Sequence, residues 1–88
     1  MNQDILFSDI QAWDAVRQAV NFPAQQAGAL ITCWVSLEWL QARSDKLLQQ
    51  DEADILAQFS AYRFDLEELA EEMIEDECFD DNGDVVIG

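Results

Sequence analysis

Between residues 53 and 74 the chain reads ADILAQFSAYRFDLEELAEEMI, and its apolar positions recur at a helical interval. Ile55, Phe59, Tyr62, Leu66, Leu69 and Met73 are spaced 4, 3, 4, 3 and 4 residues apart. At 100° per residue they fall within roughly 80° of arc, which predicts one uninterrupted amphipathic helix with a single oily stripe. Asp51 stands where an N-cap belongs, and Asp51, Glu52 and Asp54 suit the positive end of the helix. The other end carries Glu75, Asp76 and Glu77 with no cation nearby. The like-charge pairs Glu67–Glu71, Glu68–Glu72, Glu71–Glu75 and Glu72–Asp76 each cost about 0.2–0.5 kcal/mol, so the last turns are expected to fray.

Upstream, the interval shortens to two. In Ala19–Phe22, Val20 and Phe22 share one face and Asn21 takes the other, as in a strand. Pro23 lacks a backbone donor, which predicts an edge position or the end of that strand. Gln25 to Gly28 then forms the connection, with Gly28 suited to a positive φ. Ala29–Val35 is the strongest strand. Ile31, Cys33 and Val35 alternate with Leu30, Thr32 and Trp34, and both rows are largely apolar, which predicts an interior strand with one face under helices. Ser36 is the expected N-cap of a short helix over Leu37–Arg43, with Leu37, Leu40 and Trp39 turned inward. Ser44 to Gln50 reads as a linker in which Leu47 and Leu48 tuck back onto the core.

At the beginning, Ile5-Leu6-Phe7 reads as a brief edge strand or an arm, and Asp14 to Gln18, after Trp13, as a turn. Near the end, Asn82-Gly83 marks a tight reversal before Asp84–Ile87, a short strand that either pairs back across the turn or adds to the sheet. Burying the long helix's stripe does not by itself offset the entropy of ordering its backbone, so helix and sheet need each other. The expected fold is α+β: a small, mostly antiparallel sheet of three to four strands against one short and one long helix, in the order β-β-β-α-α-β.

Composition narrows the partners. The 88 residues are expected to form one domain, 1–88, with 50% hydrophobic residues to fill its core and an acidic C-terminal third. Nineteen acidic residues face four basic ones, Arg17, Arg43, Lys46 and Arg63, for a net charge of −15. Nucleic acid and anionic membrane both require a cationic surface, so neither is an expected partner. The first ten residues lack a signal-peptide pattern, and no run is long and apolar enough to span a bilayer. Cytoplasmic residence is the expectation. Cys33 and Cys78 are accordingly read as reduced and buried.

Candidate chemistry is sparse. Without histidine there is no imidazole base, the two cysteines form no CxxC pair, and three glycines make no phosphate loop. No enzymatic activity and no cofactor are expected. The 11 carboxylates between Asp65 and Asp84 read as a solvated face; DDNGD fails calcium-loop spacing because its glycine falls at 83 and position 85 is Val85. Arg63, at the margin of the stripe, is expected to pair with Glu67 and clamp helix to sheet; the alternative is an anion hook. Phe64 lies on the helix back, either covered within the chain or a homodimer, or exposed as a partner anchor.

The strings MNQDILFSDIQAWD, VNFPA, GALITCWVS and YRFDLEELAEEMI followed by DDNGDVVI resemble a family of small bacterial proteins, the domain of unknown function 1488 family, over almost the whole chain. Phe7, Trp13, Phe22, Pro23, Gly28, Cys33, Ser36, Arg63, Glu67 and Ala70 match its recurring pattern. Ser8 departs from it, standing where many members carry proline. The resemblance implies a bacterial α+β domain and attaches no catalytic role to any position. The expected function is therefore a non-enzymatic accessory or protein-interaction domain, with a protein partner or self-association through Phe64 or a sheet edge. The alternative is a carboxylate-based metal- or small-ligand-binding protein.

Overall fold

The computed structural model describes residues 5–48 and 51–88. In chain order the elements are β1 (Ile5–Phe7), β2 (Ala12–Asp14), β3 (Ala19–Gln26), β4 (Ala29–Ser36), α1 (Leu37–Ala42), α2 (Glu52–Ala61), α3 (Arg63–Glu75) and β5 (Val85–Ile87). This is a mixed α+β fold with a five-stranded, mostly antiparallel sheet. The sheet has one strand more than expected and the helical layer one helix more. The last two residues of the Ser44 to Gln50 linker, like the first four of the chain, lie outside the described residues.

The central hairpin pairs β3 with β4 over eight residues, from Ala19↔Ser36 to Gln26↔Ala29. Ala27 (φ 51°) and Gly28 (φ 85°) both take the left-handed region in its two-residue turn, the arrangement whose twist matches the strands it joins. Pro23 neither ends β3 nor breaks the sheet. On the side away from β4, β1 pairs with Ala24–Gln26 and β2 with Ala19–Asn21. Phe22 and Pro23 fall in the gap between them, so β3 is locally an edge where the proline has no donor to offer. The unexpected strand, β2, brings Trp13 opposite Val20 and into contact with the core.

On the other flank β5 pairs parallel with β4, Cys33↔Val85 to Val35↔Ile87, which places β4 in the interior. Of the two options for the final strand, it therefore adds to the sheet. Alternation sorts the side chains. Ile5, Val20, Phe22, Ala24, Cys33, Val35, Val85 and Ile87 point to one face and form the core with Leu40, Leu48, Ile55, Phe59, Leu66, Ala70 and Ile74. Leu48 does tuck in, but its neighbour Leu47 is exposed. Cys33 is buried as expected; Cys78, expected buried, is exposed, and both thiols are free.

Ser36 caps α1 by accepting from the Trp39 N–H at 3.0 Å, and Asp51 caps α2 through the Asp54 N–H at 3.3 Å. The expected single long helix is broken at Tyr62 (φ −110°, ψ 16°). The Tyr62 N–H is shared between the carbonyls of Gln58 (3.3 Å) and Phe59 (3.1 Å), a tightening that ends α2; its own carbonyl then accepts from the Leu66 N–H and starts α3. At the bend the Tyr62 ring stands edge-on to Trp39, centroids 5.8 Å apart. With the break, α2 packs by β2 and α1 while α3 packs by β5. The buried face of α3 becomes Leu66, Ala70 and Ile74, and Leu69, expected inside, is 36% exposed. The far end, where fraying was expected, is closed by a capping turn: Glu77 takes φ 58°, and the Cys78 N–H donates to the Met73 carbonyl at 2.8 Å.

Candidate functional site

The break at Tyr62 sets Arg63 at the first position of α3, facing the segment between β1 and β2. Its Nε donates to Glu67 Oε2 at 2.9 Å and one terminal nitrogen to Gln11 Oε1 at 2.7 Å. The other terminal nitrogen donates to the Ser8 carbonyl, and the guanidinium lies 5.6 Å from the Phe59 ring centroid. With side chains only 17% and 22% exposed, Arg63 and Glu67 pair within α3, and the bonds that leave the helix run from Arg63 to Gln11 and Ser8. The acceptors Glu67, Gln11 and Ser8 engage all three guanidinium nitrogens and use three of its five N–H groups, which ties the group into the fold.

Phe64 belongs to different surroundings. It is 84% exposed, so it is not covered by any described part of the chain, and Asp65 and Glu68 are exposed beside it on the helix. A lone aromatic among carboxylates is a narrow contact surface. Arg63 and Glu67 therefore come together, and Phe64 does not join them.

The acidic turn before β5 engages its own carboxylates. Asp80 accepts from the Asn82 and Asp84 N–H groups, both at 2.9 Å, and Asp84 accepts from the Trp34 indole at 3.1 Å. Among the described residues no three Asp, Glu, Cys or His side chains converge to hold a metal. The Cys33 thiol is pushed up to about 12, chiefly by burial and then by the Asp84 carboxylate, so it stays protonated and inert at neutral pH.

What sequence reasoning missed is the face of the sheet opposite the helices. Leu6, Gln25 and Leu30 stand directly opposite one another across β1, β3 and β4, followed by Pro23 beside Thr32 and then Asn21, Trp34 and Val86. Leu6 is 61% and Leu30 77% exposed. At the β5 end this face is closed: Arg17 stacks 4.0 Å above Trp34 and reaches to within 3.9 Å of Asp80. At the β1 end it is open, and Leu6, Phe7, Ser8, Pro23, Ala24, Gln25 and Leu30 enclose a groove of about 260 Å³. Arg63, by holding the Ser8 carbonyl, positions one wall of it. No residue from 18 to 37 is charged, in a chain with 19 acidic and 4 basic residues. That run, with two apolar rows on β4, was the signal in the sequence for an uncharged face with exposed apolar side chains.

A hairpin-centred sheet with helices on one side and an uncharged groove on the other defines a small acidic α+β domain with one bare face. The chain belongs to the family described as protein of unknown function (DUF1488), whose model matches residues 5–87. It is 40% identical over 83 residues to the uncharacterized protein YrdB of Escherichia coli (strain K12), with 94% of each chain covered, and 39% identical to that of Shigella flexneri over the same share. The crystal structure of a protein of unknown function from the DUF1488 family of Shewanella loihica PV-4 is similar with a TM-score of 0.88 at 36% identity, over 99% of this chain and 94% of that one.

Proposed function

We propose that this chain is a non-enzymatic protein-interaction domain that docks another protein on the open face of its sheet. The observation that carries this reading is the juxtaposition of exposed Leu6 and Leu30 in an uncharged patch on a protein of net charge −15. An apolar centre without charges is the usual composition of an interface core, and the surrounding negative potential selects a partner with basic groups at its rim. A second copy of this chain would bring like charge to like charge. Two free thiols and the lack, among the described residues, of any helix long and apolar enough to cross a membrane support cytoplasmic residence. The absence of histidine and the inert Cys33 thiol support a role without catalysis.

Photo-crosslinking tests this. Benzoylphenylalanine is placed in cells at position 30, on the groove, or at position 64, on α3. Position 30 is expected to yield a defined adduct with a basic protein, lost in high salt, that position 64 does not yield. Adducts only between copies of the chain, or equal yields from both positions, would reject the docking face.

A further inference from the structure

We propose that the groove bounded by Leu6, Pro23 and Leu30 is a socket for one bulky apolar side chain, such as Phe or Leu, presented by a partner segment with Lys or Arg on either side; this rests on the docking face proposed above. Three observations fix the occupant. The first is size. A volume of about 260 Å³ falls below the usual range for small-molecule sites, about 300–1,000 Å³, and suits a single large side chain. The second is lining. Leu6, Pro23 and Leu30, which point to this face of the sheet, supply apolar walls, and none of the seven lining residues carries a charge to hold a phosphate, carboxylate or metal. Gln25 and Ser8 are the polar residues at its edge, suited to the backbone of an incoming segment.

The third is the field around it. Asp9, exposed, directly follows Ser8, and the molecule measures 37 × 24 × 19 Å. Each of those dimensions exceeds twice the Debye length of about 8 Å, so the charge nearest the groove mouth, Asp9, sets the field there, attracting flanking cations and repelling flanking carboxylates. The wall at Ser8 is held by Arg63 before anything binds, so that part of the groove needs little ordering on docking.

The test is a titration of the ¹⁵N-labelled chain with three probe peptides, followed by amide chemical shifts. Acetyl-Lys-Lys-Phe-Lys-Lys-amide is expected to shift the signals of Leu6, Phe7, Ser8, Ala24, Gln25 and Leu30 saturably. The same peptide with Ser for Phe is expected to bind there about tenfold more weakly, the loss that follows from removing one buried apolar side chain. Acetyl-Glu-Glu-Phe-Glu-Glu-amide is expected to leave these signals unmoved. Leu30→Ser and Leu6→Ser, both at exposed positions and checked for an unchanged fold by their remaining shifts, are expected to abolish the preference for Phe over Ser.

Equal binding of the Phe and Ser peptides, or amide shifts confined to α3, would overturn the socket. So would groove signals that broaden with protein concentration before any peptide is added, which would make the occupant a second copy. A basic protein crosslinked at position 30 alongside failed peptide titrations would retain the interaction reading and reject the socket alone.

Discussion

Arg63 donates to the carbonyl of Ser8 from 55 residues further along the chain, joining the start of α3 to the segment that links β1 and β2. One side chain thereby holds a helix, a strand connection and a wall of the open groove in register. Arg63→Met keeps much of the apolar stem and removes the hydrogen bonds to Ser8, Gln11 and Glu67. Partly buried bonds from a charged donor are worth about 1.5–3 kcal/mol, and each kcal/mol shifts the Tm of a domain this size by about 4–8 °C. A thermal melt should show a fall of at least about 5 °C; a Tm unchanged within error would remove the clamp role.

The break at Tyr62 moves the buried face of α3 onto Leu66, Ala70 and Ile74. Leu66→Ala, at a fully buried position, should cost about 2–5 kcal/mol. Leu69→Ala, at a position 36% exposed, should cost under about 1 kcal/mol. Urea unfolding of the two variants measures the difference, and equal losses would restore the uninterrupted stripe.

Glu77 takes a left-handed conformation (φ 58°) at a helix C-terminus that already gathers negative charge. Glycine adopts that conformation without strain and would remove one repelled carboxylate. Glu77→Gly is therefore expected to stabilise the protein by about 1 kcal/mol, read as a higher urea midpoint at unchanged slope.

Three ion pairs are seen among the described residues, against 19 carboxylates in the chain. Self-repulsion outweighs attraction, and salt screens both. Melting temperature should rise as NaCl goes from tens to hundreds of millimolar. A fall would mean that the Arg63–Glu67, Lys46–Asp54 and Arg17–Asp80 pairs dominate instead.

The two thiols should behave differently. Exposed Cys78 is expected to react at once with a thiol reagent in native protein, and buried Cys33 only on unfolding. Because the Cys33 thiol is held neutral up to about 12 from an ordinary 9.0, only the unfolded chain ionises between those values. Stability should be unaffected below pH 9 and decline above it by about 1.4 kcal/mol per pH unit. Cys33→Ala should flatten that decline in urea titrations between pH 8 and 10.5.

The parts of the fold that rest on neighbours in sequence were legible in the sequence. The hairpin turn at Gly28, the caps at Ser36 and Asp51, and Arg63–Glu67 one helical turn apart all follow from local chemistry. The helix break was not, because no Gly or Pro marks it; Tyr62, where it falls, packs against Trp39, 23 positions earlier. Strand β2 offers one large apolar residue in three, too little alternation to read. The tolerance of β3 for Pro23 depends on where β1 and β2 happen to stop. Of the candidate site, the pairing of Arg63 was readable, but its reach to Ser8 and Gln11 was set by the tertiary fold.

The parallel pairing of β5 with β4 has a kinetic consequence. A hairpin such as β3–β4 closes over two residues, whereas β5 must return across the whole helical segment to find Cys33, Trp34 and Val35. Contacts so distant along the chain form late in folding. A nascent or briefly opened molecule would thus expose the β4 edge after its hairpin had zipped, and amide exchange with deuterium should be quickest along that seam.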